Sequence, residues 1–312
     1  MTLDLNGLIP ATVLPMHADG SIDEDALRSY IRWVVGQGPV ALAINVDTGE
    51  GPHLTHDEKV RVLEVVRSVT DIPIVAGLAG PSTSTAVRQA RDFKAAGADA
   101  LLVFPIPAYL SEPLDPRVPV RYHEAIAAVG LPLILFQLQP ALAGVNYEAD
   151  TLRAMASVEG VVAIKEASFD ARRFVDVGQL LADLPRPITL LTGNDNFILE
   201  SFMLGATGAL IGFGAVMTRE QVEMIALWRA GRIDEARALG RRVQRLADVV
   251  FARPVGDYRV RLKECLRILG LLDAAHVRLP LLPVSDEERA HLADVLREVG
   301  LLEAARPAVA AR

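Results

Sequence analysis

The sequence contains almost no cysteine, few aromatic residues and no long apolar run. The single cysteine, Cys265, excludes an intrachain disulfide and a cysteine-rich zinc site, and its surroundings predict a place in the core of a late helix. No apolar run approaches the ~20 residues of a membrane span. The N-terminus lacks the basic-then-apolar order of a signal peptide. These absences predict a soluble, cytoplasmic protein.

Positive charge is also scarce. The net charge is -7 at pH 7, and no Lys/Arg cluster is dense enough to offset it, which argues against a nucleic-acid surface. Hydrophobic residues make up 51% of the chain and charged residues 23%, as in ordinary globular proteins. We therefore expect a small-molecule substrate, with neither nucleic acid nor a membrane as a partner.

A unit of strand followed by helix recurs eight times along the chain. Each predicted strand is a short, nearly continuous apolar run, which is typical of parallel strands buried on both faces. These runs cover 8–14, 40–44, 72–76, 100–104, 131–136, 161–165, 188–192 and 208–212. Eight such units favour an α/β fold of the closed (β/α)8 TIM barrel type over an open sheet.

The pattern after residue 216 is helical. We predict a barrel over 1–216, a helical extension packed on it over 217–303, and a frayed Ala/Pro-rich tail over 304–312. Capping-box spacing predicts helix starts at Ser21, Thr55, Thr218 and Ser285.

The sixth predicted strand ends on a lysine. Lys165 follows the apolar run 161–164, and its ammonium is costly to bury in a strand suited to a two-sided apolar interior. Burial lowers the pKa of a lysine amine, and the neutral amine can attack a carbonyl to form a Schiff base. Strand ends in such a barrel share one site, and Lys165 is the only lysine among them. A structural ion pair is the alternative role for a lone lysine.

Several motifs occur in order along nearly the whole chain. They include Leu8-Ile9-Pro10-Ala11-Thr12, Asp47-Thr48-Gly49-Glu50, Ile164-Lys165-Glu166, Thr192-Gly193-Asn194-Asp195 and Gly205-Ala206-Thr207-Gly208. In combination they resemble the dihydrodipicolinate synthase/N-acetylneuraminate lyase superfamily of class I Schiff-base aldolases and lyases.

The resemblance implies a reaction and a site. Lys165 would attack the ketone of a pyruvate-like 2-oxo acid, with no metal or organic cofactor. The hydroxyl and N–H groups around Thr48 and Gly49 would hold the substrate carboxylate. Further substrate contacts would come from Phe136, Gly193 and Leu210. The resemblance also favours a homodimer or homotetramer.

Some positions depart from the pattern of this superfamily. Its proton-shuttling tyrosine falls on Phe136, and the threonine that relays the proton falls on Asp47. The arginine that some members use to hold a second carboxylate falls near Ala141. We therefore interpret the chain as a divergent member rather than dihydrodipicolinate synthase itself. Asp47 is either an acid/base or substrate contact, or a structural group.

Other polar residues near the predicted strand ends are expected to have structural or solvent-exposed roles. Gln137 and Gln139 could hydrogen-bond a polar substrate tail, but we expect them to be solvated beyond strand five. Asp195 could contact substrate hydroxyls, but we expect it to cap the helix at Phe197. Glu50 and Glu166 are expected to brace the barrel mouth.

Three functions remain open at this point. The leading hypothesis is a Schiff-base lyase or aldolase that cleaves or forms a C–C bond of a 2-oxo acid. The second is a dehydratase or deaminase of a hydroxy- or imino-2-oxo acid that uses the same lysine. The third is a non-catalytic 2-oxo-acid binding protein.

Overall fold

The computed structural model describes residues 3–302 and contains one sheet of eight parallel strands, in the order β1-β8-β7-β6-β5-β4-β3-β2. The strands are β1 Leu8–Pro10, β2 Leu42–Ile44, β3 Ile74–Leu78, β4 Ala100–Val103, β5 Leu133–Leu138, β6 Val161–Ala167, β7 Thr189–Thr192 and β8 Gly208–Ile211. The predicted frayed tail at 304–312 lies outside the described residues.

The two outer strands of this order meet and close the barrel. Ala11 forms a parallel bridge with Ala43, the Thr12 N–H donates to the Ala43 carbonyl at 3.1 Å, and the Val40 N–H donates to the Leu8 carbonyl at 3.0 Å. The predicted (β/α)8 TIM barrel is confirmed, and the carboxyl ends of all eight strands open at one end of it.

Eleven α-helices are formed by the described residues. They are α1 Glu24–Val35, α2 His56–Arg67, α3 Thr83–Ala95, α4 Arg117–Ala127, α5 Ala149–Ala156, α6 Ala171–Ala182, α7 Ile198–Met203, α8 Thr218–Arg229, α9 Ile233–Val250, α10 Tyr258–Ile268 and α11 Asp286–Glu298. None of these helices is long and apolar enough to cross a membrane.

Two of the four predicted helix caps are correct. Thr55 and Glu58 form a reciprocal capping box at the start of α2, and Ser285 caps α11. In α1 the cap is Asp23 rather than Ser21, because the Asp23 carboxylate accepts the Ala26 N–H at 2.9 Å. Thr218 is the first residue of α8 rather than its cap, and its hydroxyl donates to the Gly214 carbonyl at 2.7 Å.

The apolar core has an inner and an outer part. The inner core fills the barrel and contains six alanines beside ten larger apolar residues; its members include Ile9, Ala11, Ala41, Ala43, Ala100, Ile134, Phe136, Ala163 and Leu210. The outer core lies between the sheet and the surrounding helices. Cys265 is fully buried in α10, as predicted.

The helices after β8 pack closely on the barrel. α8 contacts β1 and α9, while α10 contacts the loop after β2. The Lys263 ammonium on α10 donates to the buried Glu50 carboxylate in that loop and to the His276 carbonyl at 2.7 Å. This contact holds α10 over the open end of the barrel. The division of the chain after residue 216 stays a prediction.

Candidate active site

A small cavity lies at the carboxyl end of the strands. The volume within which the centre of a water molecule can lie is about 30 Å³. Five polar or charged side chains line it: Asp47 and Thr48 from the loop after β2, Lys165 from β6, Asp195 from the loop after β7 and Tyr258 from α10. The lining residues are Val46, Asp47, Thr48, Phe136, Leu138, Leu142, Lys165, Ala167, Phe169, Gly193, Asp195, Gly212, Phe251 and Tyr258. Five of the seven residues predicted for the site are therefore brought together.

Lys165 lies inside β6 rather than at its end, because the strand continues through Ala167. Its side chain is buried, and its Nζ atom lies 4.2 Å from the centroid of the Phe136 ring. Burial lowers the pKa of the Lys165 amine to about 8, and the negative charges of Asp195 and Asp47 oppose that shift. A pKa near 8 leaves roughly a tenth of the amine neutral at pH 7.

Gly193 makes room for the Lys165 side chain. A Cβ atom at this position would lie 2.6 Å from Lys165 Cε and 2.7 Å from Ala167 Cβ, closer than side chains can approach. The Gly193 N–H donates to the Glu166 carbonyl at 2.6 Å. The contribution of Gly193 to the cavity is therefore space.

Asp195 is a buried carboxyl group beside Lys165. Its Oδ1 accepts the Phe213 N–H at 2.8 Å, and burial raises the pKa of the Asp195 carboxyl to about 7, against the effect of that bond. The prediction that Asp195 caps the following helix is wrong: α7 begins at Ile198, after Phe197, without a side-chain cap. The loop after β7 turns Asp195 toward β8 instead.

The Asp47 carboxylate pairs with residues that the sequence analysis did not identify. Arg259 Nη2 lies 2.5 Å from both carboxylate oxygens, and Arg259 Nε donates to the Asp47 carbonyl at 3.1 Å. The Tyr258 hydroxyl donates to Asp47 Oδ2 at 2.9 Å. Asp47 thus faces a cation and a hydroxyl of its own chain, and its role in proton transfer stays a prediction.

Tyr258 covers the cavity from α10. Its ring stacks on Phe251, with centroids 4.7 Å apart, and its hydroxyl lies 3.4 Å from Thr48 Oγ1. The ring also lies close above Gly212, where a Cβ atom would be 3.1 Å from Tyr258 Cε2. The only sequence signal was a tyrosine opening a late helix, which does not indicate that the helix reaches the barrel mouth.

Two predicted substrate contacts lie outside the cavity lining. The Gly49 N–H donates to the Val46 carbonyl at 3.1 Å, and a Cβ atom at Gly49 would lie 2.9 Å from the Thr12 carbonyl oxygen. Leu210 lies fully buried in the inner core, and Gly212, two residues later, lines the cavity in its place.

Buried hydrogen bonds fix the other polar residues around the mouth. Glu166 is fully buried and accepts from Gln137 Nε2 at 3.1 Å, Asn194 Nδ2 at 2.7 Å and the Ser168 N–H at 3.1 Å. The prediction that Gln137 is solvated is wrong, because β5 extends to Leu138 and buries it. Gln139 follows β5 and is half-buried.

Residues 3–302 contain no cluster of three or more His, Cys, Asp or Glu side chains placed to hold a metal ion. Of the ionisable groups that line the cavity, Asp47 forms an ion pair with Arg259 of α10, which lies outside the lining.

The sequence matches one protein-family model over almost its full length. The model describes the dihydrodipicolinate synthetase family and matches residues 4–299. Among curated proteins, the chain is 33% identical to the 4-hydroxy-tetrahydrodipicolinate synthase of Methanothrix thermoacetophila, over 94% of this chain and 96% of the relative. It is 32% identical to the same enzyme of Haloarcula marismortui, over 94% of each chain.

Solved structures with the same fold carry related names. The chloride-inhibited dihydrodipicolinate synthase of Acinetobacter baumannii, complexed with pyruvate, superimposes with a TM-score of 0.84 at 29% identity, covering 96% of this chain and 100% of that one. Dihydrodipicolinate synthase of Bacillus anthracis gives a TM-score of 0.84 at 28% identity, covering 95% and 99%.

Proposed function

Because this chain belongs to the dihydrodipicolinate synthetase family, we propose that it is a Schiff-base lyase or aldolase that acts on a pyruvate-like 2-oxo acid through Lys165. The observation that carries the proposal is a buried lysine with a lowered pKa, facing a small cavity at the carboxyl end of the barrel strands. The pyruvate complex of the Acinetobacter baumannii enzyme supports this choice of substrate class.

The reaction begins with the neutral Lys165 amine. Its lone pair attacks the ketone carbon, and the resulting carbinolamine loses water to give an iminium ion. The iminium nitrogen then accepts the electron pair of the bond broken at C3, so that a C–C bond can be cleaved or, in reverse, formed. The surrounding apolar groups, including the Phe136 ring, keep the amine desolvated.

Thr48 is the group that we assign to the substrate carboxylate. Its side chain is buried and lines the cavity, and it lies in a one-turn 3₁₀ helix, Asp47–Gly49, whose first N–H groups have no acceptor within the turn. The Gly49 N–H, already bonded to Val46, does not take part.

Dehydration or deamination is a second candidate reaction. Asp195 favours it, because a buried carboxyl with a pKa raised to about 7 holds a proton for a departing hydroxyl or amino group. The two reactions differ in product: cleavage gives pyruvate and an aldehyde, whereas loss of water or ammonia gives an unsaturated or dicarbonyl acid.

We do not extend the synthase activity named for the curated relatives to this chain. Phe136 and Ala141 stand where the resemblance places the tyrosine and the arginine of that activity, and neither side chain can form a hydrogen bond.

We also propose a homodimer or homotetramer, although one structural neighbour, at 25% identity, is described as a monomeric dihydrodipicolinate synthase variant.

Borohydride trapping tests the proposed function. The protein is incubated with pyruvate or 2-oxobutanoate, reduced with borohydride and mapped by mass spectrometry; we expect the reduced adduct on Lys165. Lys59 serves as the internal control, since burial also lowers the pKa of its amine but it does not line the cavity. Absence of an adduct with folded protein, or an adduct on Lys59 instead, would contradict the proposal.

A further inference from the structure

One wall of the cavity carries a hydroxyl that no barrel strand supplies. Tyr258 is the first residue of α10, and its buried side chain lines the cavity together with Lys165 and Thr48. Thr48 and Tyr258 are the hydroxyl-bearing members of that lining. The Tyr258 oxygen lies 3.4 Å from Thr48 Oγ1 and donates to Asp47 Oδ2 at 2.9 Å. The hydroxyl thus lies within hydrogen-bonding reach of the Asp47 carboxylate and close to Thr48, and all three residues line the cavity.

Both ends of this hydrogen bond are held in place. Arg259 Nη2 lies 2.5 Å from both Asp47 oxygens, so the carboxylate cannot turn away. The Tyr258 ring is fixed by its stack on Phe251 and by the close approach of Gly212. A phenylalanine at 258 would make the same ring contacts, so packing alone does not account for the oxygen.

We propose that Tyr258 carries protons between the substrate bound on Lys165 and Asp47, an inference that rests on the proposed function. In one direction the substrate gives a proton to the Tyr258 oxygen while the proton of Tyr258 passes to Asp47 Oδ2. The electron pair of the broken C3–H or O–H bond stays on the substrate. The two transfers then run in reverse to return the proton, so no net charge accumulates over a turnover.

The environment of Tyr258 suits a neutral carrier. Burial and the nearby Asp47 charge raise the pKa of Tyr258 well above its ordinary value, so a free tyrosinate does not form. Concerted transfer through the hydroxyl avoids that species. Phe136, directly below the Lys165 amine, has no oxygen and cannot perform this transfer. Asp195 Oδ1 is already engaged by the Phe213 N–H.

Exchange of the methyl protons of pyruvate in D2O, followed by NMR, tests the relay. Tyr258→Phe keeps the ring and removes only the oxygen, and we expect exchange to slow by about 10²–10⁴. The yield of borohydride adduct on Lys165 at equilibrium should stay at the wild-type level. The matched control is Tyr122→Phe, which removes a buried hydroxyl that donates to the Gly80 carbonyl at 2.7 Å, outside the cavity, and should leave exchange unchanged.

Asp47→Asn tests whether the two groups act as a unit. Asparagine can still accept the Tyr258 hydrogen bond but cannot take up its proton, so exchange should fall to a similar level. The double variant should be no slower than Tyr258→Phe, because removing either member already breaks the relay. Thermal unfolding checks that each variant is folded. If Asp47→Asn is unfolded, the exchange rates of Tyr258→Phe and Tyr122→Phe decide whether the Tyr258 hydroxyl carries the proton.

The outcomes separate this inference from the proposed function. Three results would overturn the relay alone. They are an exchange rate in Tyr258→Phe equal to that of the wild type, a double variant whose exchange is slower than that of either single variant, and a wild type that forms the adduct without exchange. Absence of any Lys165 adduct in the wild type would overturn the proposed function and the relay with it.

Discussion

At the scale of single residues, burial and two nearby carboxylates set the pKa of the Lys165 amine. Burial lowers the pKa of Lys165, while the carboxylates of Asp195 and Asp47 raise it, and the result is about 8. The pKa of Asp195 is raised by the same burial, to about 7. The two groups titrate as an interacting pair, so each influences when the other loses its proton.

This balance predicts a shift in pH dependence for Asp195→Asn. In the wild type, the initial rate of imine formation with pyruvate should rise with pH and level off above about 8, as the amine becomes neutral. The Asp195 charge raises the pKa of Lys165 and so opposes the effect of burial. Without that charge the pKa of Lys165 falls, and the increase in the rate of imine formation moves to lower pH. The measurement is the rate of trapped adduct across pH 5–10.

Asp150→Asn provides the control, because this exposed carboxylate lies on α5, away from the cavity. It removes the same charge and should leave the profile of the wild type unchanged. A profile of Asp195→Asn that stays in place or moves to higher pH would show that Asp195 does not act on Lys165.

At the scale of elements, α10 depends on one buried ion pair. Lys263 and Glu50 are 1% and 0% exposed, and Glu50 also accepts the Arg278 N–H at 3.1 Å. A buried charge without its partner is strongly destabilising. The pair therefore holds the loop after β2 and the start of α10 in mutual register, which in turn places Tyr258 and Arg259 against Asp47.

Glu50→Gln and Lys263→Met should each lower the free energy of unfolding by about 3–5 kcal/mol, since each leaves one charge buried alone. Together they should cost less than the sum of the two, because neither charge then remains. Urea unfolding measures these values. Glu235→Gln breaks an exposed pair with Arg232 and should change stability little; equal losses for the buried and exposed pairs would contradict this account.

At the scale of the whole molecule, the segment after β8 forms part of the cavity lining as well as packing on the barrel. Strands β5 and β6 supply Phe136 and Lys165. The loops after β2 and β7 supply Thr48 and Asp195. Tyr258, Arg259 and Lys263 come from α10. The predicted boundary after residue 216 therefore separates residues that meet in one cavity.

A chain ending at residue 230 should fail to form a stable protein that reacts with pyruvate. It lacks Lys263, the partner of Glu50, and it exposes the apolar faces that α9 and α10 cover. The measurements are solubility, circular dichroism and the Lys165 adduct. A chain ending at residue 302 retains every contact described above and serves as the control; a folded, reactive shorter chain would refute this prediction.

Local sequence patterns predicted the fold and placed Lys165 near the carboxyl end of a barrel strand. Eight apolar runs separated by helical segments predicted the barrel, because parallel strands buried on both faces must be continuously apolar. The same argument identified Lys165 as the lysine among the strand ends, and the barrel geometry brought Asp47, Thr48, Phe136 and Gly193 to the same cavity.

The partners of those residues were decided only by the tertiary structure. Asp195 turns toward Phe213 instead of capping α7, and Gln137 is buried against Glu166. Tyr258 and Arg259 reach Asp47 from 211 and 212 residues farther along the chain. Periodicity records which face of a helix is apolar, but not where the helix packs. That position depends on distant contacts such as Glu50 with Lys263, which no local pattern encodes.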